Sequence, residues 1–228
     1  MPDTIDPFSL LTLLYIEDES SIRTNAVEYF GRMFHNVLEA SNGMEGYRLY
    51  ERYKPDIIIT DIKMPMMSGL ELTRKIRRLD RTTPVIVLSA FMDTPLLLEA
   101  VELNLVKYLI KPFNEHAIRE ALSAAICALN RHSSIFHLDA DTVYDTFNKT
   151  LLLKGEPVRL TRFELLLLDL LVKHHPRTVA YEEIQHVIWP EDGLNINSLR
   201  TIVKSLRKKL HRDVIENISG FGYKVSGK

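Results

Sequence analysis

Hydrophobic and polar residues follow two different patterns along the 228-residue chain. In the first half, short apolar runs typical of buried strands alternate with amphipathic stretches of helical period. The apolar runs lie at 11–16, 37–40, 57–61, 85–89 and 108–110. The amphipathic stretches lie near 20–34, 43–53, 68–79, 94–103 and 114–130. Five strand–helix units in this order predict an α/β fold: a doubly wound, five-stranded parallel sheet with helices on both faces.

Apolar residues at helical spacing define the buried faces of the first and third of these helices. The predicted faces consist of Ile22, Ala26, Phe30 and Phe34, and of Leu72, Ile76 and Leu79. We expect both faces to pack against the sheet.

The second half has a different pattern, which begins after a short polar linker. Strands are predicted at 135–138, 142–145 and 149–153, with a turn at 155–157. Helices are predicted at about 162–174, 181–189 and 197–211, and a hairpin joins 214–218 to 223–225. Helices followed by a β-ribbon predict a second domain, an α+β winged helix-turn-helix. The predicted domains are 10–128 and 137–228, with the linker at 129–136.

Composition and charge limit the cellular setting. Cys127 is the only cysteine, which excludes an internal disulfide and fits a reducing compartment. Residues 1–7 lack the basic and apolar segments of a secretory signal, and no apolar run approaches the roughly 20 residues that span a bilayer. We therefore expect a cytoplasmic protein with no membrane partner.

The two halves differ modestly in charge. Residues 1–127 carry 14 basic and 18 acidic side chains, whereas residues 128–228 carry 15 and 12. A basic second domain suggests a polyanionic partner, although chance variation between two neutral domains explains the count equally well.

Acidic side chains and one lysine stand where predicted parallel strands end. Asp61 closes the third strand, Glu17 and Asp18 follow the first, Ser89 ends the fourth and Lys111 follows the fifth. Ligands of open α/β sheets bind at the carboxyl ends of the strands. Each residue alone also fits a helix cap, a turn or an exposed surface position, but their joint placement favours one site.

This set of side chains is suited to phosphoryl transfer. Glu17, Asp18 and Asp61 would supply oxygen ligands for Mg²⁺. Lys111 and Ser89 would contact phosphoryl oxygens, and an aspartate can carry the phosphoryl group covalently.

The motifs around these residues resemble the receiver domain of two-component response regulators, a flavodoxin-like fold. The matching segments are 15–19, 59–70, 87–90 and 108–113. The resemblance implies that Asp61 accepts a phosphoryl group from a sensor histidine kinase. It implies direct Mg²⁺ ligation by Asp18, Asp61 and the Lys63 carbonyl, with Glu17 acting through water. It also implies a switch pair of Ser89 and Tyr108 and a cis Lys111-Pro112 peptide, although an aromatic like Tyr108 is also a common core residue.

The predicted helix at 197–211 has one apolar and one basic face. Its apolar face consists of Leu199, Ile202, Val203, Leu206 and Leu210. The opposite face carries basic and small polar side chains that could contact phosphates and base edges. An exposed amphipathic helix with no ligand is the alternative. The candidate DNA contacts are Asn197, Ser198, Thr201, Lys204, Ser205, Arg207, Lys208 and Lys224.

Residues 137–228 resemble the winged-helix effector domain of OmpR/PhoB-type regulators. The matching segments are 160–166, 184–189, 206–210 and 220–224, and Thr161 with Glu164 forms a predicted capping box. This resemblance implies double-stranded DNA as the partner and a homodimer in the active state.

Three departures from the family pattern matter. Ser219 stands where an arginine often precedes the wing glycine, which leaves Lys224 as a weaker substitute. Asn197 and Ser205 also stand where arginines are common. Leu96, Leu97 and Leu98 of the fourth helix and Ala117 and Ala121 of the fifth replace the usual charged dimer contacts, so the dimer face is either more apolar or elsewhere.

The combined prediction is a DNA-binding transcription regulator that phosphorylation of Asp61 controls, and not an enzyme beyond that self-modification. One alternative is a Mg²⁺-dependent phosphohydrolase, although Lys63 stands where such enzymes usually place a second acid. Another is a phosphorylation-independent DNA-binding regulator that merely retains the acids.

Overall fold

The computed structural model describes residues 8–90, 94–131, 135–146, 148–189, 196–210 and 214–227. The chain divides into two compact units, Met1–His132 and Ser133–Lys228. Residues 132–134 of the predicted linker, residues 1–7 and position 211 at the end of the predicted basic helix lie outside the described residues. No helix in the described part of the chain is both long and apolar enough to cross a membrane.

The described residues of the first unit form five strands and five helices in strict alternation. In chain order they are β1 Thr12–Ile16, α1 Ser20–Gly31, β2 Asn36–Ala40, α2 Gly43–Tyr53, β3 Ile57–Asp61, α3 Gly69–Arg77, β4 Val85–Ser89, α4 Thr94–Glu102, β5 Lys107–Ile110 and α5 Glu115–Arg131. The strands pair in the order β2-β1-β3-β4-β5, and every pairing is parallel. The predicted doubly wound α/β fold is confirmed.

Apolar side chains on both faces of the sheet form two cores. Leu14, Ile16 and Ile58 belong to the core that includes α2 and α3 residues. Leu13 and Ile59 belong to the core that includes α1 and α5 residues. Burial on both faces explains why these strands are continuously apolar instead of alternating.

The ends of the predicted helical faces need correction. Helix α1 ends at Gly31, so Phe34 is buried from the following loop, while Ile22 near the start of α1 is 37% exposed. Leu72 and Ile76 are fully buried, but Leu79 lies beyond the end of α3 and is 71% exposed. Helical periodicity therefore continued past the residues where the helices actually end.

The described residues of the second unit form two antiparallel sheets and three helices. In chain order its elements are β6 Ile135–His137, β7 Thr142–Asp145, β8 Thr150–Leu153, β9 Glu156–Val158, α6 Arg162–Lys173, β10 Val179–Ala180, α7 Tyr181–Ile188, α8 Ile196–Lys209, β11 Ile215–Ile218 and β12 Gly222–Val225. The sheets have the orders β6-β7-β8-β9 and β10-β12-β11. Helices α7 and α8 followed by the β11–β12 hairpin, the wing, confirm the predicted winged-helix class.

The predicted turn at 155–157 lies one position too late. Lys154 and Gly155 form the turn with φ of 53° and 84°, and Glu156 already begins β9. Pro157 is tolerated in this strand because β9 is an edge strand, where a missing N–H breaks no ladder bond.

Helix α6 begins with the predicted capping box. Thr161 accepts a hydrogen bond from the Glu164 N–H, and the Glu164 carboxylate accepts one from the Thr161 N–H at 2.7 Å. Its apolar side chains pack over the buried face of α8, where Leu199, Val203 and Leu206 are at most 2% exposed.

Candidate functional sites

Three carboxylates meet at the carboxyl edge of the parallel sheet. Asp61 ends β3, and Glu17 and Asp18 follow β1, the strand paired with β3. One oxygen of each of the three carboxylates lies within 4.8 Å of the others. Parallel pairing of strands far apart in sequence therefore produces the predicted cluster.

Lys111 joins two of these acids. Its Nζ atom lies 2.6 Å from Glu17 Oε2 and 2.7 Å from Asp61 Oδ2. Burial raises the pKa of Glu17, and the hydrogen bond and charge of Lys111 only partly oppose this effect. Burial alone would lower the pKa of Lys111, but hydrogen bonds to Asp61 and Glu17 raise it above its ordinary value. One ammonium thus faces three carboxylates, which leaves the cluster with an excess of negative charge.

Backbone contacts fix the position of Asp61. The Ile62 N–H donates to Asp61 Oδ1 at 2.6 Å, and Gly69 at the start of α3 lies against the Asp61 carbonyl. A Cβ atom at position 69 would come within 2.1 Å of that carbonyl oxygen, so only glycine allows this approach. Gly69 was not among the site residues predicted from the sequence.

Arg23 of α1 supports the acidic loop and was also missed. Its Nη1 donates to the carbonyl oxygens of Glu17 at 2.7 Å and of Asp18 at 3.3 Å, and its Nε pairs with Glu39. An arginine five residues after Asp18 on a helix carries no distinctive signal in sequence, because its partners are backbone atoms.

Of the other predicted residues, Ser89 lies at the carboxyl end of β4 and Lys63 follows the carboxyl end of β3, whereas Tyr108 lies within β5, opposite Val87. Ser89 is buried at the end of β4, and its carbonyl accepts a hydrogen bond from the Lys111 N–H at 2.7 Å. Tyr108 is half-buried on β5 and packs against the apolar core. The Lys63 side chain is exposed, and Lys63 and Asp18 line an open groove of about 630 Å³. The Lys111-Pro112 peptide is cis, as predicted.

The donor set fits a hard divalent cation. Mg²⁺ is bound in proteins by one or two carboxylates together with other oxygens, including those of substrate phosphates. Here, three carboxylates each place one oxygen within 4.8 Å of the others, and one of these residues, Asp18, is exposed. This arrangement matches the ligand preference of Mg²⁺.

A basic groove lies between α8 and the wing in the second unit. It has a volume of about 1190 Å³ and is lined by residues of α8, β11 and β12. Arg200, Lys204 and Lys208 are exposed on α8, as are the predicted contacts Asn197 and Thr201, while Ser198 is half-buried. Arg200 and Asn217 belong to this groove although neither was among the predicted DNA contacts.

Several predicted DNA contacts have intramolecular partners, and the Thr201 hydroxyl, for example, donates to the Asn197 carbonyl at 2.9 Å. Arg207 donates through Nε and Nη2 to the Ile215 carbonyl at 3.0 and 2.6 Å, which ties α8 to the wing. Lys224 pairs with Glu216 at 2.9 Å. Ser205 contacts Glu164: burial would raise the pKa of Glu164, but hydrogen bonds from Lys209 and Ser205 lower it.

Fold and sites together define a two-domain regulator, with a receiver-type α/β unit followed by a winged-helix unit. Comparison with known families agrees. Residues 13–123 match the response regulator receiver domain, and residues 155–225 match the C-terminal domain of transcriptional regulatory proteins.

Curated relatives align with nearly the whole chain. The two-component response regulator PhoP of Pseudomonas aeruginosa is 30% identical over 222 residues, which cover 93% of this chain and 97% of that protein. The transcriptional regulatory protein CusR of Escherichia coli is 27% identical, with coverages of 93% and 96%. The structure of DrrB, a Thermotoga maritima OmpR/PhoB homolog, aligns at 24% identity over 95% of this chain and 99% of that one, with a TM-score of 0.45.

The chain belongs to the OmpR/PhoB family of response regulators. It is a phosphorylation-regulated, DNA-binding regulator of transcription. The phosphorylation-independent alternative is not favoured, and the family is one of transcriptional regulators, not of typical enzymes.

Proposed function

We propose that Asp61 is the phosphoryl acceptor and that a sensor histidine kinase is the donor. The observation that carries this proposal is the Lys111 ammonium placed 2.7 Å from Asp61 Oδ2 at the carboxyl edge of the sheet. An Asp61 oxygen forms the new bond to phosphorus as the bond from phosphorus to the histidine nitrogen breaks, and the bonding electrons leave with that nitrogen. Lys111 then stabilises the negative oxygens of the phosphoryl group.

Mg²⁺ is the cofactor that this acidic cluster supports best. Asp18, Asp61 and the Lys63 carbonyl would hold it directly, with Glu17 contributing through water. When bound, the ion would neutralise charge on the anionic donor. The excess of carboxylate over ammonium in the cluster is the physical reason for this assignment.

Ser89 and Tyr108 are the proposed switch residues. Ser89 is buried at the end of the strand next to Asp61, close enough in the sheet for its hydroxyl to respond to a phosphoryl group. Tyr108 lies on β5, the strand paired with β4, so movement of Ser89 can be passed to this edge strand. Phosphorylation shifts the equilibrium only by the difference in its interaction with the two states.

Acetyl phosphate with excess Mg²⁺ tests the acceptor. The wild-type chain should gain one hydroxylamine-labile phosphoryl group, measured by intact-protein mass, and Asp61→Asn should gain none. Glu102→Gln, which changes an exposed acid at the end of α4, is the matched control and should label normally. Lys111→Met should slow labelling because the approaching oxygens lose their cation.

Labelling of Asp61→Asn at the wild-type rate would show that Asp61 is not the phosphoryl acceptor. Many turnovers of a small phosphate ester, in place of one labelling event per chain, would instead support the phosphohydrolase. We propose that enzyme-like chemistry is confined to phosphorylation and dephosphorylation of Asp61.

The exposed face of α8 is the proposed DNA contact. Lys204 and Lys208 would neutralise phosphates, and Asn197, Ser198 and Thr201 would reach base edges. Arg207 would contribute mainly by holding α8 against the wing. Ser205 would hold α8 against Glu164 of α6, and Lys224 would pair with Glu216 across the two strands of the wing. Arg200 joins the proposed set because it is exposed and lines the same groove.

An apolar surface of α4 is the proposed dimer contact. Leu97, Leu98 and Val101 are 40%, 63% and 73% exposed, whereas Ala121 is fully buried in the receiver core and drops out of the candidate face. The double variant Leu98→Glu/Val101→Glu should not dimerise in the presence of beryllofluoride, as measured by sedimentation.

The proposed domains remain 10–128 and 137–228. The proposed location is the cytoplasm, where both the kinase and DNA are accessible.

A further inference from the structure

The tip of the wing exposes an aromatic side chain to which the DNA-binding proposal assigns no role. Phe221 is 53% exposed, and Ile218 on the other side of the turn is 37% exposed. Ser219 and Gly220 between them are exposed as well. One scattered apolar side chain on a surface is ordinary, but a neighbouring pair at a hairpin tip forms a small apolar patch.

The backbone that carries Phe221 is held on both sides. Its N–H donates to the Ile218 carbonyl, and its own carbonyl accepts from the Tyr181 N–H, each at 3.0 Å. The next residue, Gly222, packs so tightly on β10 that a Cβ atom there would lie 1.9 Å from the Val179 carbonyl oxygen. The ring therefore stands on a rigid support, which reduces the entropy lost when it binds a partner.

The strands that carry this tip also form one wall of the basic groove. Glu216, Asn217 and Tyr223 line that wall, and Arg200, Lys204 and Lys208 face them from α8. Cations on α8 attract phosphates to this surface. When a helix lies in the major groove, a segment beside it can reach the adjacent minor groove.

The tip itself offers no cation for that minor groove. Residues 217–222 contain no lysine or arginine. The nearest basic residue of the wing, Lys224, is paired with Glu216 at 2.9 Å. The largest exposed side chains at this tip are therefore the apolar Ile218 and Phe221, beside the small polar Ser219.

We propose that Phe221, supported by Ile218, is an apolar wedge that the wing presses into an A·T-rich minor groove beside the site read by α8. This inference rests on the proposed DNA-binding role of α8. Apolar side chains of minor-groove proteins open base steps in this way. The contact selects sequence because the guanine N2 amino group obstructs the groove floor and because TA steps deform easily. Phe221 is thus a specificity-determining residue.

The test uses full-length protein and a duplex that the wild-type chain selects from a random pool. The A·T pairs flanking the half-site are replaced by G·C or by inosine·C. Inosine lacks the N2 amino group, so inosine·C keeps the minor-groove edge of A·T while presenting the major-groove edge of G·C. Wild-type affinity should fall with G·C flanks and stay unchanged with inosine·C flanks.

Phe221→Ala should bind the A·T duplex about tenfold more weakly, the size expected from losing burial of roughly half a phenylalanine side chain. It should also lose its preference among the three flanks, while Phe221→Leu keeps most of it. Phe163→Ala is the matched control, because Phe163 is an aromatic of the same unit with 42% exposure and lies on α6. It should keep both affinity and preference.

A flank preference that survives in Phe221→Ala would overturn the inference. So would a change in sedimentation of Phe221→Ala without DNA, because the ring would then cover protein. Lys204→Ala separates the two proposals: it should weaken all three duplexes equally and reduce the slope of log affinity against log salt by about one. If Lys204→Ala has no effect, the role of α8 fails while the flank preference still reports on Phe221.

Discussion

Each unit contains a buried cluster in which acidic and lysine side chains share partners, and the two clusters have opposite charge balance. In the first unit, Lys111 lies between Glu17 and Asp61, with Asp18 beside them. In the second, Asp169 of α6 lies between Lys149 and Lys173, and the Tyr144 hydroxyl donates to it at 3.1 Å. The first cluster has an excess of carboxylate and the second an excess of ammonium.

The pKa shifts of the buried acids follow this balance. Burial raises the pKa of Glu17, and a single shared lysine does not overcome that effect. Burial would also raise the pKa of Asp169, but the charges of Lys149 and Lys173 hold it at about 2. In the Asp169 cluster one carboxylate is shared by two ammonium groups, whereas the Glu17–Asp61 cluster has more carboxylates than ammonium groups and favours an additional cation. Charge balance, not burial alone, distinguishes a structural link from a binding site.

The largest expected effect comes from removing the charge of Asp169, the carboxylate that two lysines share. Asp169→Asn leaves two lysines, 13% and 24% exposed, facing a neutral amide, and should lower the free energy of unfolding of the second unit by about 3 kcal/mol. Urea denaturation followed by the fluorescence of Trp189 measures this. Asp141→Asn, which loses only an exposed contact to Lys154 at 3.9 Å, should change stability by less than about 0.5 kcal/mol.

The same cluster predicts a pH dependence. The folded pKa of Asp169 lies below its unfolded value, so the unfolded chain binds more protons between about pH 2 and pH 4 and stability rises with pH in this window. The stability difference between wild type and Asp169→Asn should therefore be full above about pH 5 and shrink as pH falls towards 2. A difference that stays constant down to pH 2 would contradict the assigned ion pairs.

Removing an acid from the Glu17–Asp61 cluster should change the free energy of unfolding much less. Asp61→Asn loses an attraction to Lys111 but also relieves repulsion with Glu17 and Asp18, so stability should change by no more than about 1 kcal/mol. Excess Mg²⁺ should raise the thermal midpoint of wild type and not of this variant. A loss as large as that of Asp169→Asn would mean that both clusters are structural.

The smallest expected effect concerns the loop beside Asp61. Met66 has φ of 68° and is 74% exposed, a left-handed conformation that disfavours residues with a Cβ atom. Met66→Gly should stabilise the first unit by roughly 0.5 kcal/mol, since relief of about 1 kcal/mol of strain is partly offset by the greater freedom of glycine in the unfolded chain. Phosphorylation by acetyl phosphate should continue in this variant.

The features predicted correctly from the sequence are those that depend on a local pattern of residues. Apolar runs between polar breaks located the five parallel strands, and the placement of Asp61 and Lys111 at strand ends predicted that they meet. Gly69 and Arg23 were missed because their partners are backbone atoms, which every residue type has and which therefore leave no signal in the sequence. The Asp169 cluster was missed because Lys149 and Lys173 resemble ordinary surface lysines in sequence.

By itself, the sequence determined the order of the elements, the residue types available at the strand ends and the basic face of α8. These properties depend on which residues lie next to one another along the chain. Only the tertiary structure decided which charges share a partner, because Lys111 lies 94 residues from Glu17 and 50 from Asp61. It also decided that Arg207 is held by the wing while Phe221 is left exposed. Exposure and ion pairing depend on how segments far apart in the sequence pack together. Neither property can therefore be assigned without the tertiary structure.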